Sequence, residues 1–144
     1  MSAENVEVAQ RRFEAWQRDD FEAWQRDDLE GFLCLLDPEI EWLTAIERGL
    51  GSAGNVFHGH EGARELWNLW RTEFEDVWIE TGEVRDLGGE RVLRLAHIRF
   101  RGPGSGIVVE SQLALLMTIR DGKIVHSEDY LSHKEALEDV GLSE

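Results

Sequence analysis

Apolar residues recur three and four positions apart in the first half of the chain, and then give way to strict alternation. Val6, Ala9, Phe13 and Trp16 hold helical spacing, which predicts an amphipathic first helix. Leu29, Phe32, Leu33 and Leu36 predict a second, shorter helix that ends before Pro38. EIEWLTAI then reads as a short strand with Ile40, Trp42 and Thr44 on one face. After the glycine-bearing loop GLGSAGNVFHG, helical spacing returns at Ala63, Leu66, Trp67, Trp70 and Phe74. From Trp78 onward the period is two. WIETGEVRDL, RVLRLAHIRFRG, IVVESQLALLMTIR and KIVHSEDYL predict four strands joined through GGE, GPGSG and an Asp121-Gly122 turn. HKEALEDV predicts a last short helix stopped by Gly141.

Helices segregated from a run of strands imply an α+β fold with an antiparallel meander. The long strands are apolar on both faces, as in IVVESQLALLMTI. One face is expected to meet the helices and the other to be covered, most simply by a second subunit in a homodimer.

One stretch disturbs this pattern. FEAWQRDD is written twice without change, at 13–20 and 21–28, which reads as a tandem duplication inside the first helix. Neither copy contains Gly or Pro, and eight residues advance a helix by about 800° and about 12 Å. The two copies therefore cannot share one buried stripe. Looping one copy out would order eight residues against little burial, which favours one long helix over roughly 4–27. On either arrangement one copy is expected to be dispensable.

With 144 residues the chain fits a single domain, 1–144, and six Trp and six Phe supply a substantial core. Thirty acidic against fifteen basic residues leave a net charge of −15. That field repels a phosphate backbone and an anionic membrane surface, so neither nucleic acid nor membrane is an expected partner. Cys34 is the one cysteine and stands among apolar neighbours in GFLCLL, so a buried, unreactive thiol is expected. No stretch has the length of a signal sequence or of a bilayer span, which points to a cytoplasmic protein.

The phrases VAQRRFEAW, LLDPEIEW, FHGHEGARELW, RDGKIV and DYLSHKEALEDVGL, with the element order, resemble the SnoaL-like branch of the nuclear-transport-factor-2-like superfamily. The likeness covers nearly the whole chain apart from eight repeated residues. It implies a cone: a curved antiparallel sheet packed against three helices from the N-terminal half, with a short C-terminal helix and an internal pocket. Dimers through the sheet are common in that superfamily. Its members include polyketide cyclases, ketosteroid isomerases, dehydratases and non-catalytic binding modules, so function has to be argued from pocket positions.

Ketosteroid isomerases pair a carboxylate base with a Tyr and a protonated Asp that hold the enolate oxygen. Carried over through LLDPEIEW, the base position falls at Trp42. Through RDGKIV, the protonated Asp falls at Ala114, and the Tyr falls near Arg12 or Asp20. The isomerase pattern is therefore not retained. The same resemblance turns Val125, Ser127, Asp129 and Leu131 inward and His126, Glu128 and Tyr130 outward. A carboxylate at Asp129 on an apolar wall would have its pKa raised by desolvation, as a general base requires, unless it is hydrated or paired with an Arg.

Alternation places Gln112, Ala114 and Leu116 on one face, with Glu110 beyond them. His97 and Arg99 share a face of their strand, and the pattern leaves open whether that face or Ala96, Ile98 and Phe100 points inward. Asp129 is thus the expected catalytic group, with His97 or Gln112 orienting the substrate. Trp42, Phe57, Trp67 and Trp70 are expected to form an aromatic wall for a small apolar organic ligand, with Ser127 beside them, or simply the core. His58, His60 and Glu61 carry two metal-ligand types but lack a complete set, and no metal or cofactor is expected. The expected activity is cofactor-free acid/base chemistry such as cyclisation, isomerisation or hydration, and the alternative is a non-catalytic binding module.

Overall fold

A computed structural model describes residues 29–49, 51, 54–80, 82–102, 104 and 106–142. The first predicted helix and the repeated octapeptide lie outside the described residues. The elements are α1 (Leu29–Leu33), β1 (Leu36–Leu43), α2 (Ala45–Gly49), β2 (Phe57–His58), α3 (Gly59–Glu73) and β3 (Glu75–Glu80). They continue with β4 (Val84–Gly88), β5 (Arg91–Arg101), β6 (Val108–Arg120), β7 (Lys123–Tyr130) and α4 (His133–Asp139). The strands form one sheet in the order β2-β1-β7-β6-β5-β3, with β4 also on β5.

The α+β class follows the sequence pattern, and four local expectations are corrected. The sheet is not wholly antiparallel, because β1 runs parallel to β7. The strand expected from 78 to 87 is two strands, each antiparallel to a different half of β5. Gly82 between them comes so close to the Leu95 carbonyl that a Cβ there would collide with it. The helix before Pro38 ends at Leu33, and β1 already contains Pro38. Proline is tolerated there because the β1–β7 register breaks between Leu36 and Glu41, where no ladder N–H is required. Beyond Leu43 the chain turns into α2 instead of continuing as strand.

The hairpin turns behave as their sequences require. Asp121 and Gly122 both have positive φ, at 52° and 77°, as a two-residue turn matched to strand twist demands. Ser132 caps α4 by accepting the Glu135 N–H at 3.2 Å. Register shifts in β1, β3, β4 and β7 bend the sheet.

The two faces of the sheet carry separate cores. Toward α1 and α3, Phe32, Ile40, Trp42, Leu66, Trp67 and Met117 are buried together. On the opposite face, Leu93, Leu95, Ala114, Leu116 and Tyr130 are buried under Ala136 and Leu137 of α4. The apolar outer face expected to need a second subunit is thus covered in good part by the chain's own last helix. Cys34 is also corrected: it is exposed, because Phe32, Leu33, Leu35 and Leu36 take the buried positions around that turn. Among the described residues no helix is long and apolar enough to cross a membrane.

Candidate functional site

The C-terminal half of β7 carries the chemistry. In the parallel pairing Trp42 lies beside Ser127, so both side chains share the helix-facing side of the sheet. The long indole reaches past Ser127, and its Nε1–H donates to Asp129 Oδ2 at 2.9 Å. The Ser127 hydroxyl, itself fully buried, donates to Asp129 Oδ1 at 3.4 Å. Asp129 is 7% exposed. Its carboxylate has lost most of its water and is held at both oxygens by neutral donors.

Arg48 of α2 fixes the end of the same strand. Its Nε donates to the Asp129 carbonyl at 3.2 Å, and Nη2 donates to Glu128 Oε1 at 2.9 Å. The guanidinium also stacks 3.9 Å from the centre of the Tyr130 ring. One arginine therefore ties α2 to three consecutive residues of β7. Tyr130 donates its hydroxyl to Asp139 Oδ2 at 2.9 Å. Burial, then this hydrogen bond, pushes its phenol pKa well above the ordinary value. Arg94, 1% exposed, is the other buried ionisable group of note. Burial lowers its pKa to about 10, so it stays charged at neutral pH.

Asp129 opens on a cavity of about 390 Å³ between β5, β6, α2 and the end of α3. Ile98, Phe100, Leu113 and Leu115 make its sheet wall, and Trp70 and Phe74 its helix wall. Thr44, Glu110 and Ser111 are the other polar residues in the lining. Thr44 Oγ1 accepts the Glu47 N–H at 3.3 Å, which leaves its hydroxyl proton for a ligand. An apolar pocket with a few fixed polar groups suits a small organic molecule of low polarity.

The expected site residues separate into three groups. Trp42 and Ser127 lie behind Asp129 and hold it. Trp67 packs 5.1 Å from the Phe32 ring, within the core, while Phe57 lines a neighbouring cavity of about 320 Å³. His97 and Gln112 stand on the opposite face of the sheet. Gln112 Oε1 accepts the His133 N–H at 2.8 Å, and the His97 ring lies 5.3 Å from that of His133. Ile98 and Phe100 take the inward face of β5, because an apolar row there fills the cavity wall without burying charge. His97 and Gln112, expected to orient the substrate, are therefore separated from Asp129 by the sheet. Ala114 is likewise on the outer face, so the position carried over for a protonated Asp falls outside the cavity.

Ile46, Ser111 and Arg48 were not singled out by sequence, and Thr44 was named only as a strand position on the face of Trp42. The alternation of β6 contains the signal for Ser111, one step from Gln112, whereas no periodicity marks Arg48. His60 Nε2 lies 2.8 Å from the Leu36 carbonyl and His58 Nε2 3.4 Å from Glu39 Oε2, so the two turn to different partners. Among the described residues no three His, Cys, Asp or Glu side chains group as metal ligands.

The model of the SnoaL-like domain matches residues 9–127. No curated protein matches the chain. Solved structures of similar fold include an NTF2-like protein of unknown function from Burkholderia pseudomallei K96243. It is 20% identical with a TM-score of 0.70, over 96% of this chain and 98% of that one. TerC co-crystallised with polyporic acid is 22% identical with a TM-score of 0.71, over 95% and 98%. A hypothetical protein with a ketosteroid isomerase-like fold from Catenulispora acidiphila DSM 44928, in complex with trimethylamine, is 18% identical with a TM-score of 0.62, over 83% and 87%.

Proposed function

The chain belongs to the SnoaL-like domain family, and on that premise we propose that it binds a small, largely apolar organic ligand and moves a proton on it through Asp129. The observation that carries this reading is the placement of one buried carboxylate in a mainly apolar cavity wall. Trp42 and Ser127 fix the carboxylate in the cavity wall, and an ionised carboxylate is an acceptor that can take a proton from the ligand. In such a step Asp129 takes a proton from carbon beside a carbonyl. For isomerisation it returns the proton to a second carbon, and for cyclisation the enolate carbon attacks a second carbonyl and the proton goes to that carbonyl's oxygen. Thr44 is placed to donate to the oxygen on which charge develops. No cofactor enters this chemistry. TerC, co-crystallised with polyporic acid, supports the reading that this fold accepts small organic molecules.

A second reading also has a specific observation behind it. Both oxygens of Asp129 already have protein donors, which is the arrangement of a structural carboxylate in a non-catalytic binding module. Asp129→Asn separates the two. A ligand is first found by thermal shift against neutral aromatic compounds, and its conversion is then followed by mass spectrometry. The proton-transfer reading expects Asp129→Asn to keep the ligand-induced shift and lose at least about 100-fold in turnover. Unchanged turnover would remove Asp129 from the mechanism, and binding without conversion by the natural chain would leave the binding module.

A further inference from the structure

Beside the cavity that holds Asp129 lies the second one, of about 320 Å³, and the two share Thr44, Ile46, Trp70 and Phe74 in their linings. The first extends from this shared wall toward β5 and β6. The second extends along α3 toward Phe57, Leu66 and Leu69. Three parts of the wall are fixed. Trp70 is wedged 5.4 Å from the Trp42 ring and 6.3 Å from the Phe32 ring. Phe74 packs against Phe100 with ring centres 4.5 Å apart and the planes tilted by 53°, and Thr44 caps α2. The α2 backbone is itself anchored through Arg48.

Ile46 differs from them. It is 68% exposed although it lines both cavities, so its side chain is the part of the partition with least packing to hold it. Rotation of an exposed side chain takes picoseconds to nanoseconds, far faster than any ligand leaves.

The geometry points to a single two-lobed binding site in which Ile46 sets how long a ligand is accepted. The inference rests on the reading of the first cavity as a ligand site and extends it. The class of ligand is an elongated, uncharged, apolar molecule. One end lies against Asp129, and the rest passes Ile46 along the Phe57 and Leu69 side of α3. Shape decides here, because both linings are mainly apolar and each further buried carbon adds affinity only where space continues.

Two uncharged fluorescent probes test this on the full chain. N-phenyl-1-naphthylamine is compact and fits the first lobe alone, and 1,6-diphenylhexatriene is a rod that needs both. Ile46→Trp fills the partition, and Leu69→Trp fills only the second lobe. Each is expected to weaken diphenylhexatriene by at least about tenfold, and Leu69→Trp, which lies outside the first lobe, is expected to leave phenylnaphthylamine within about twofold. Ile46→Ala is expected to strengthen binding of the rod. Circular dichroism melts confirm that the variants fold, and Leu69→Trp keeps the test sharp if an Ile46 variant does not. Binding of the compact probe with a rod indifferent to all three substitutions would overturn the two-lobed site and leave the first cavity standing. Failure of the natural chain to bind either probe would overturn both.

Discussion

Replacing Trp42 by Phe tests whether the indole holds the Asp129 carboxylate in place. The change removes a 2.9 Å donor from a buried, nearly water-free oxygen. A hydrogen bond to a charged group contributes about 1.5–3 kcal/mol. The smaller ring also loosens the contacts to Trp70 and Phe32, at ring separations of 5.4 and 5.8 Å, which costs on the order of 1–3 kcal/mol more. A total of about 2.5–6 kcal/mol is a large share of the stability of a domain this size. The two contributions separate in a double-mutant cycle with Asp129→Ala, because packing loss at Trp42 is common to both backgrounds. Urea denaturation at pH 7, with slopes that stay equal across the four proteins, gives the energies. The coupling is expected at about 1.5–3 kcal/mol. A coupling below about 0.5 kcal/mol would show that the indole N–H does not support Asp129, and the positioning argument would fail.

Tyr130 is the chain's single tyrosine, so its phenolate absorbance near 295 nm reports on one site. Burial and Asp139 raise its pKa above the ordinary 10.0, so the folded state keeps a proton that the unfolded chain releases. The stabilisation is complete below about pH 10 and declines as pH rises further, and the phenolate signal is expected to appear only with unfolding. A reversible phenolate transition near pH 10 in the folded protein would refute this. Homodimerisation is proposed through the part of the outer sheet that α4 leaves open, where His97, Arg99 and Val108 are exposed. Light scattering at micromolar concentration should give twice the 16.5 kDa chain mass, and a monomer mass would refute it.

Much of the architecture was legible because alternation and helical spacing are local properties of the chain. The α3 stripe, the long strands β5 to β7, the Asp121-Gly122 turn and the α4 stop at Gly141 each follow from neighbouring residues. Asp129 was legible too, as a carboxylate on the inward side of a strand whose family phrase could be recognised. What sequence could not decide was which side of β5 faces the cavity, since Ala96, Ile98 and Phe100 alternate with His97 and Arg99 with no local preference. Tertiary packing decided it: α4 covers Leu93 and Leu95, and this sends Ile98 and Phe100 to the helix side and His97 away from Asp129. The parallel β1–β7 pairing is equally nonlocal, joining residues more than eighty positions apart, yet it alone brings the Trp42 indole to Asp129. Arg48 completes the contrast. On sequence it is one arginine in a short polar turn, and only the return of β7 beside α2 gives it Glu128, Asp129 and Tyr130 to hold.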